Sequence, residues 1–243
     1  MTTAAHVFDQ PILGQRLVGC RIVIVEDHRL LAHSLRLALT AEGADVHAVD
    51  LRDRRSADDV LADCLHRHPG VVLLDLDLGE AGDGAQLIAP LVAAGVRVVV
   101  VTGSTHRARP GECLEQGAIG LIEKVEDLDR FVEHVRLAAV GELLVPVQRR
   151  LELLNECRRQ RAAHHCQLAP FEALTERESE VLVALIQGRR VDEVGHELHV
   201  CEATARTHVR GILRKLGMKS QLAAVARARD AGWQASRRGP AKS

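Results

Sequence analysis

Aromatic residues are nearly missing from this chain of 243 residues, which holds three Phe, one Trp and no Tyr. That scarcity excludes the stacked aromatic platforms that hold single-stranded nucleic acid. It also leaves any core to Val, Leu, Ile and Ala, which dominate a hydrophobic content of 47%, enough to bury a sizeable interior in one or two domains. No CxxC spacing joins the six cysteines, so a disulfide framework or zinc ribbon is not expected, and the thiols read as reduced. Cys157, His164, His165 and Cys166 tempt a metal reading, but on a helix Cys157 and His164 stand about two turns, roughly 10 Å, apart. Zinc ligands lie about 2.0–2.3 Å from the ion, so a solvated linker face is expected there instead. The start, MTTAAHVFDQPILGQR, has neither a basic opening nor a long apolar run, which predicts a cytoplasmic protein with no signal peptide or membrane span. Internal repeats and low-complexity tracts are absent too, and residues 1–18 and 234–243 read as poorly ordered ends.

What is present is unevenly spread. The formal net charge is −1, but residues 1–170 carry 19 Lys and Arg against 24 Asp and Glu, whereas residues 171–243 carry 13 against 9. The C-terminal part is therefore the candidate for a polyanion partner.

Apolar runs at 21–25 (RIVIV), 45–49, 71–74, 96–101 and 118–122 alternate with stretches of helical period, such as LLAHSLRLAL with Leu31, Leu35 and Leu39 on one face. Regular β/α alternation predicts a doubly wound α/β domain with a parallel five-stranded sheet. Ligands in such a sheet sit beyond the carboxyl ends of the strands. From Gly141 a charged helical stretch, residues 141–170, reads as a linker, and only helical periods follow. Thr175 with Glu178 three residues on predicts a capping box, and helices are expected over 176–187, 191–198, 202–216 and 220–230, with Gly188 and Gly217 as stops.

The predicted strand ends collect chemistry. RIVIVEDH delivers Glu26 and Asp27, VVLLDLDLGE delivers Asp75, VVVVTGS delivers Thr102 and GLIEKV delivers Lys124. If the first and third strands are neighbours, three carboxylates crowd one pocket, where their repulsion favours a cation. Oxygen donors of this kind suit Mg2+. A carboxylate nucleophile, a divalent ion, a hydroxyl and an ammonium are the parts needed to accept a phosphoryl group.

These residues resemble the receiver domain of two-component response regulators over about residues 20–140, a flavodoxin-like fold. The resemblance implies that Asp75 is the phosphoacceptor, that Glu26 (through water), Asp27, Asp75 and the backbone carbonyl of Asp77 bind Mg2+, and that Thr102 and Lys124 contact the phosphoryl group. Three departures stand out: the loop LDLGEAGDG lacks the usual proline and is one residue longer, Leu121 replaces a common aromatic switch residue, and Val125 replaces a frequent proline.

Residues 171–233 carry LTERE, the QG turn, CEATARTHV and ILRKLGMKS, and resemble the LuxR-type helix-turn-helix domain, a small all-α unit. Independently, the stretch 202–216 alternates an apolar face (Ala205, Val209, Ile212, Leu213, Leu216) with Arg206, Arg210, Arg214 and Lys215, a helix suited to a major groove. The resemblance implies that Arg206, Thr207 and Arg210 face base edges of double-stranded DNA, while Arg214, Lys215, Lys219 and Ser220 lie near phosphates. It also implies a homodimer joined through Leu222, Val225 and Ala226. Cys201 takes the usual Ser N-cap, Asp192 replaces a typical Lys and Gly195 a typical Ala, which predicts intact folding with weaker DNA binding per monomer.

The leading expectation is thus a transcription factor, not an enzyme, that a sensor histidine kinase phosphorylates at Asp75. Two others compete. DLDLG could be the nucleophile pair of a dehalogenase-type phosphatase, but the later strand lacks the acidic pair such enzymes use. Alternatively the receiver is a phosphorylation-independent dimerisation or docking module, as Leu121 suggests.

Overall fold

Strand residues buried on both faces read as unbroken aliphatic runs rather than as alternation; RIVIV, VVLLD and RVVVVT follow that rule, while the edge strand DVHA is only partly buried. In the computed structural model, which describes residues 16–53, 56–103 and 109–235, the runs form β1 (Arg21–Val25), β2 (Asp45–Ala48), β3 (Val71–Asp75), β4 (Arg97–Thr102) and β5 (Gly120–Glu123). They pair in parallel in the order β2-β1-β3-β4-β5. Between them come α1 (Arg29–Ala41), α2 (Ala57–His66), α3 (Ala85–Ala93), α4 (Pro110–Glu115) and, after β5, α5 (Leu128–Val140).

Successive strand residues point to opposite faces, and the core divides accordingly. Val23, Val25, Val72, Leu74, Val98 and Val100 pack against α2 and α3 through Val60, Cys64, Leu87, Ile88 and Leu91. Ile22, Ile24, Leu73, Val99 and Val101 pack against α1 and α5 through Leu35, Leu39, Phe131 and Val135. Leu17 belongs to this second layer and its N–H donates to the Glu42 carbonyl at 2.9 Å. The expected poorly ordered N-terminal stretch is thus corrected at Leu17; its residues 1–15, and 236–243 of the C-terminal one, lie outside the described residues.

The helical remainder is α6 (Val147–Glu172), α7 (Glu176–Ile186), α8 (Val191–Glu197), α9 (Glu202–Leu216) and α10 (Gln221–Asp230). Two compact units result, Met1–Cys157 and Arg158–Ser243, with the division falling inside α6. The solvated face expected for Cys157 needs correction. Cys157 is buried, because Gly111 of α4 offers no side chain and lets the backbone of α6 approach at Leu153. Arg150 fixes the same turn by donating to the carbonyls of Leu114 and Ala118, each at 3.0 Å. His164, His165 and Cys166 are exposed, as anticipated.

In the second unit the Thr175 capping box is complete, with Glu178 N–H donating to Thr175 Oγ1 at 3.3 Å and Thr175 N–H to Glu178 Oε2 at 2.8 Å. Phe171 and Trp233, two of the few aromatics, stack at 5.4 Å and close the core of α7, α9 and α10. Among the described residues no helix is long and apolar enough to cross a membrane.

Candidate phosphoacceptor pocket and nucleic-acid interface

β1 and β3 are hydrogen-bonded neighbours, so their carboxyl ends set Glu26 and Asp75 side by side. Both are buried although ionisable, and the cation that compensates them is Lys124, from the residue after β5. Its Nζ lies 2.6 Å from Asp75 Oδ2 and 2.7 Å from Glu26 Oε1. Lys124 N–H also donates to the carbonyl of Thr102, itself buried as the last residue of β4, at 2.8 Å. Asp27 is exposed at the rim.

The electrostatics follow from this packing. Burial pushes the Glu26 carboxyl above its ordinary value, against the hydrogen bond from Lys124. Burial alone would lower the Lys124 ammonium, but its bonds to Asp75 and Glu26 prevail and raise it. One oxygen is left over: Glu26 Oε2 is buried with no hydrogen-bond partner among the described residues.

His28 was not among the expected site residues, yet it joins the pocket. Its Nδ1 lies 2.6 Å from Asp27 Oδ1 and 2.9 Å from Glu26 Oε1, and both acids raise its pKa. Donor atoms of Glu26, Asp27, His28 and Asp75 all fall within 4.8 Å of one another. Only its place directly after the acid pair could have signalled it.

The loop after Asp75 is braced from its own backbone. Asp77 N–H donates to Asp75 Oδ1 at 3.3 Å, while the exposed Asp77 carboxylate accepts from Gly79 N–H at 3.2 Å. Gly84 then crosses so close that a Cβ there would overlap the Asp75 carbonyl oxygen. Leu121 is half-buried on the α2 and α3 side of the sheet, and Val125 is exposed.

In the second unit α8 and α9 pair through a turn in which His199 takes a positive φ of 56°. Arg206, Thr207, Arg210 and Arg214 are exposed along α9, and Lys219 and Ser220 are exposed after it. Two of these are engaged within α9 itself: Arg206 Nε donates to Glu202 Oε1 at 2.9 Å, and Thr207 Oγ1 to the Ala203 carbonyl at 2.9 Å. Ser220 caps α10 by accepting from Ala223 N–H at 3.2 Å. Lys215 differs from its neighbours, because its Nζ turns to the buried Glu178 at 2.5 Å. Cys201 is the N-cap of α9 but makes no capping bond; its Sγ sits 3.1 Å from Thr204 Oγ1.

Comparison with known proteins agrees with this division of labour. Residues 22–136 match the response regulator receiver domain, and residues 172–228 match the bacterial regulatory proteins of the luxR family. The nitrate/nitrite response regulator protein NarP of Escherichia coli is 30% identical over 84% of this chain and 92% of its own length. The probable transcriptional regulatory protein NarL of Mycobacterium tuberculosis is 31% identical over 86% of this chain and 93% of its own. Among solved structures, the response regulator ChrA of a heme-sensing two-component system is 27% identical, covering 86% of this chain and 96% of its own, with a TM-score of 0.41.

Proposed function

The chain belongs to the response regulators that join a receiver domain to a LuxR-type DNA-binding domain, transcription regulators under phosphorylation control, and from that premise we propose which of its residues do the work. Residues 20–140 form the receiver, 141–170 the linker and 171–233 the DNA-binding domain. Asp75 is the phosphoacceptor: its carboxylate attacks the phosphorus of a donor phosphohistidine, the P–N bond breaks, and the phosphoryl group ends as an acyl phosphate. A sensor histidine kinase is the donor and the protein is the acceptor rather than a turnover enzyme, working in the cytoplasm where its duplex DNA lies.

The observation that carries this reading is the single ammonium of Lys124 spanning two buried carboxylates. On transfer, negative charge on the incoming oxygens gives that ammonium a third partner, and the Thr102 hydroxyl is the second donor at the same rim. The residues also fit a hard divalent cation. Oxygen ligands dominate, Glu26 Oε2 lacks a hydrogen-bond partner among the described residues, and like charges crowd the pocket. Asp27, Asp75 and the Asp77 carbonyl would hold Mg2+, with Glu26 acting through water. Bound there, Mg2+ neutralises charge on the phosphoryl oxygens.

In the second domain Arg206, Thr207 and Arg210 read base edges, with Glu202 holding Arg206 until DNA displaces it. Arg214, Lys219 and Ser220 bind phosphates; Lys215 does so only by leaving Glu178. Two copies joined through α10 at Leu222, Val225 and Ala226 bind half-sites about one helical turn, ~34–36 Å, apart.

The test uses duplex DNA enriched by the full chain from a random-sequence pool. Fluorescence anisotropy should show tighter binding by wild type after treatment with a small phosphodonor and Mg2+, and no change for Asp75→Asn. Equal affinity with and without the phosphoryl group in wild type would instead make the receiver a docking module.

A further inference from the structure

All five strands are parallel, so their amino ends share the rim remote from Asp75, about 15 Å away at ~3.3 Å per residue. A hollow of about 520 Å3 opens at that rim, lined by Arg16, Arg21, Arg97 and Arg136 together with His68 and Gly70. Arg21 opens β1 and Arg97 opens β4, on either side of the start of β3. Gly70 stands between them with no side chain, donating its N–H to the Arg21 carbonyl at 2.8 Å and accepting from Arg97 N–H at 3.2 Å.

Three of the four arginines at this hollow lack a carboxylate partner among the described residues, whereas several others of the unit have one. Arg52 pairs with Asp50, Arg67 with Asp63, Arg109 with Asp83 and Arg130 with Glu126. Arg16, Arg21 and Arg97 have no carboxylate at ion-pair distance among the described residues; Arg97 donates instead to the Ala139 carbonyl at 2.9 Å. Asp45 is the register neighbour of Arg21 on β2 and still makes no ion pair with it. Arg136 is matched by Glu42 at 2.6 Å and Glu133 at 3.0 Å, and its buried Nε–H has no acceptor among the described residues.

Cations gathered in one concavity repel one another until an anion joins them, and a buried donor without an acceptor is costly. Guanidinium forks match the oxygens of phosphate in pairs, where a lysine would offer a point charge. The volume falls in the range of small-molecule sites, roughly 300–1,000 Å3. We propose that this hollow binds a small polyanion of the phosphate class, at a site separate from the acidic pocket.

Isothermal titration of pyrophosphate into the full chain, in Mg2+-free buffer, tests the proposal. Wild type and Asp75→Asn should show the same saturable site, weakened at least tenfold in Arg21→Gln/Arg97→Gln. Arg21→Gln alone, at an exposed side chain with no side-chain partner among the described residues, should weaken it at least threefold and leave thermal unfolding unchanged. Absence of saturable binding, equal binding by the arginine variants, or loss of binding in Asp75→Asn would each overturn the proposal. Citrate binding as tightly as pyrophosphate would overturn the assignment to phosphate.

Discussion

Lys124 is one of four lysines in a chain whose other 28 basic residues are arginine. Its position asks for a compact ammonium, because one nitrogen must sit within hydrogen-bond reach of both Asp75 and Glu26, where a planar fork would spread. Replacing it by methionine leaves two buried carboxylates facing each other, a loss of about 1–3 kcal/mol at neutral pH. Thermal melts should then show Mg2+ stabilising Lys124→Met more than wild type, since the ion replaces the missing positive charge; equal gains would count against the pocket's charge balance as described. Glu178 tests the same logic in the other unit. It is buried, but its bonds from Lys215 and Thr175 outweigh that burial and hold its carboxyl below the ordinary range. A carboxyl with a lowered folded pKa contributes stability that is fully present above the unfolded value, about 4.3, and is lost as pH falls through the lower folded value. Stability of wild type should therefore drop on acidification across that window more steeply than that of Glu178→Gln; parallel curves would mean the bonds contribute nothing. The carboxylates at the strand ends were legible because strand periodicity places each residue, whereas the turn of Lys215 toward Glu178 depends on tertiary packing that α9's own pattern does not encode.

Elements built from local signals were read from sequence nearly to the residue. α7 starts where the Thr175 capping box puts it, since a cap is decided within one turn, and α9 covers the expected 202–216, stopping at Gly217 with its positive φ. What local pattern misses is approach between elements. Nothing in RRLELLNECRRQR marks Cys157 as buried; the cause is the missing side chain of Gly111 on α4, distant in sequence. Gly84 acts likewise on the loop after β3. Gly84→Ala forces a Cβ onto the Asp75 carbonyl and should cost about 1–3 kcal/mol while slowing phosphoryl uptake at Asp75. Chemical denaturation together with the rate of labelling checks this, and a variant with wild-type values for both would show that the loop yields freely. α9 offers the opposite change. Its N-cap Cys201 makes no capping bond, so Cys201→Ser, which supplies an oxygen for the N–H groups of the first turn, should stabilise the second unit by about 0.5–2 kcal/mol. An unchanged denaturation midpoint would argue that the thiol already serves as well.

The whole chain separates its charges as it separates its tasks. Net negative charge collects where a phosphoryl group and a divalent ion would be handled, and net positive charge where duplex DNA would be bound, so the formal total of −1 conceals two functions. That division was legible from counting alone. The basic hollow at the amino ends of the strands was not, because the pair Arg16 and Arg21 lies far in sequence from Arg97 and from Arg136, and only the parallel sheet and α5 assemble them. The central claim is that Asp75, and no other carboxylate, accepts the phosphoryl group that governs DNA binding. Intact-protein mass spectrometry after incubation with a small phosphodonor and Mg2+ tests it most directly. Wild type should gain a single phosphoryl group and Asp75→Asn none; equal gain on both proteins would contradict the account.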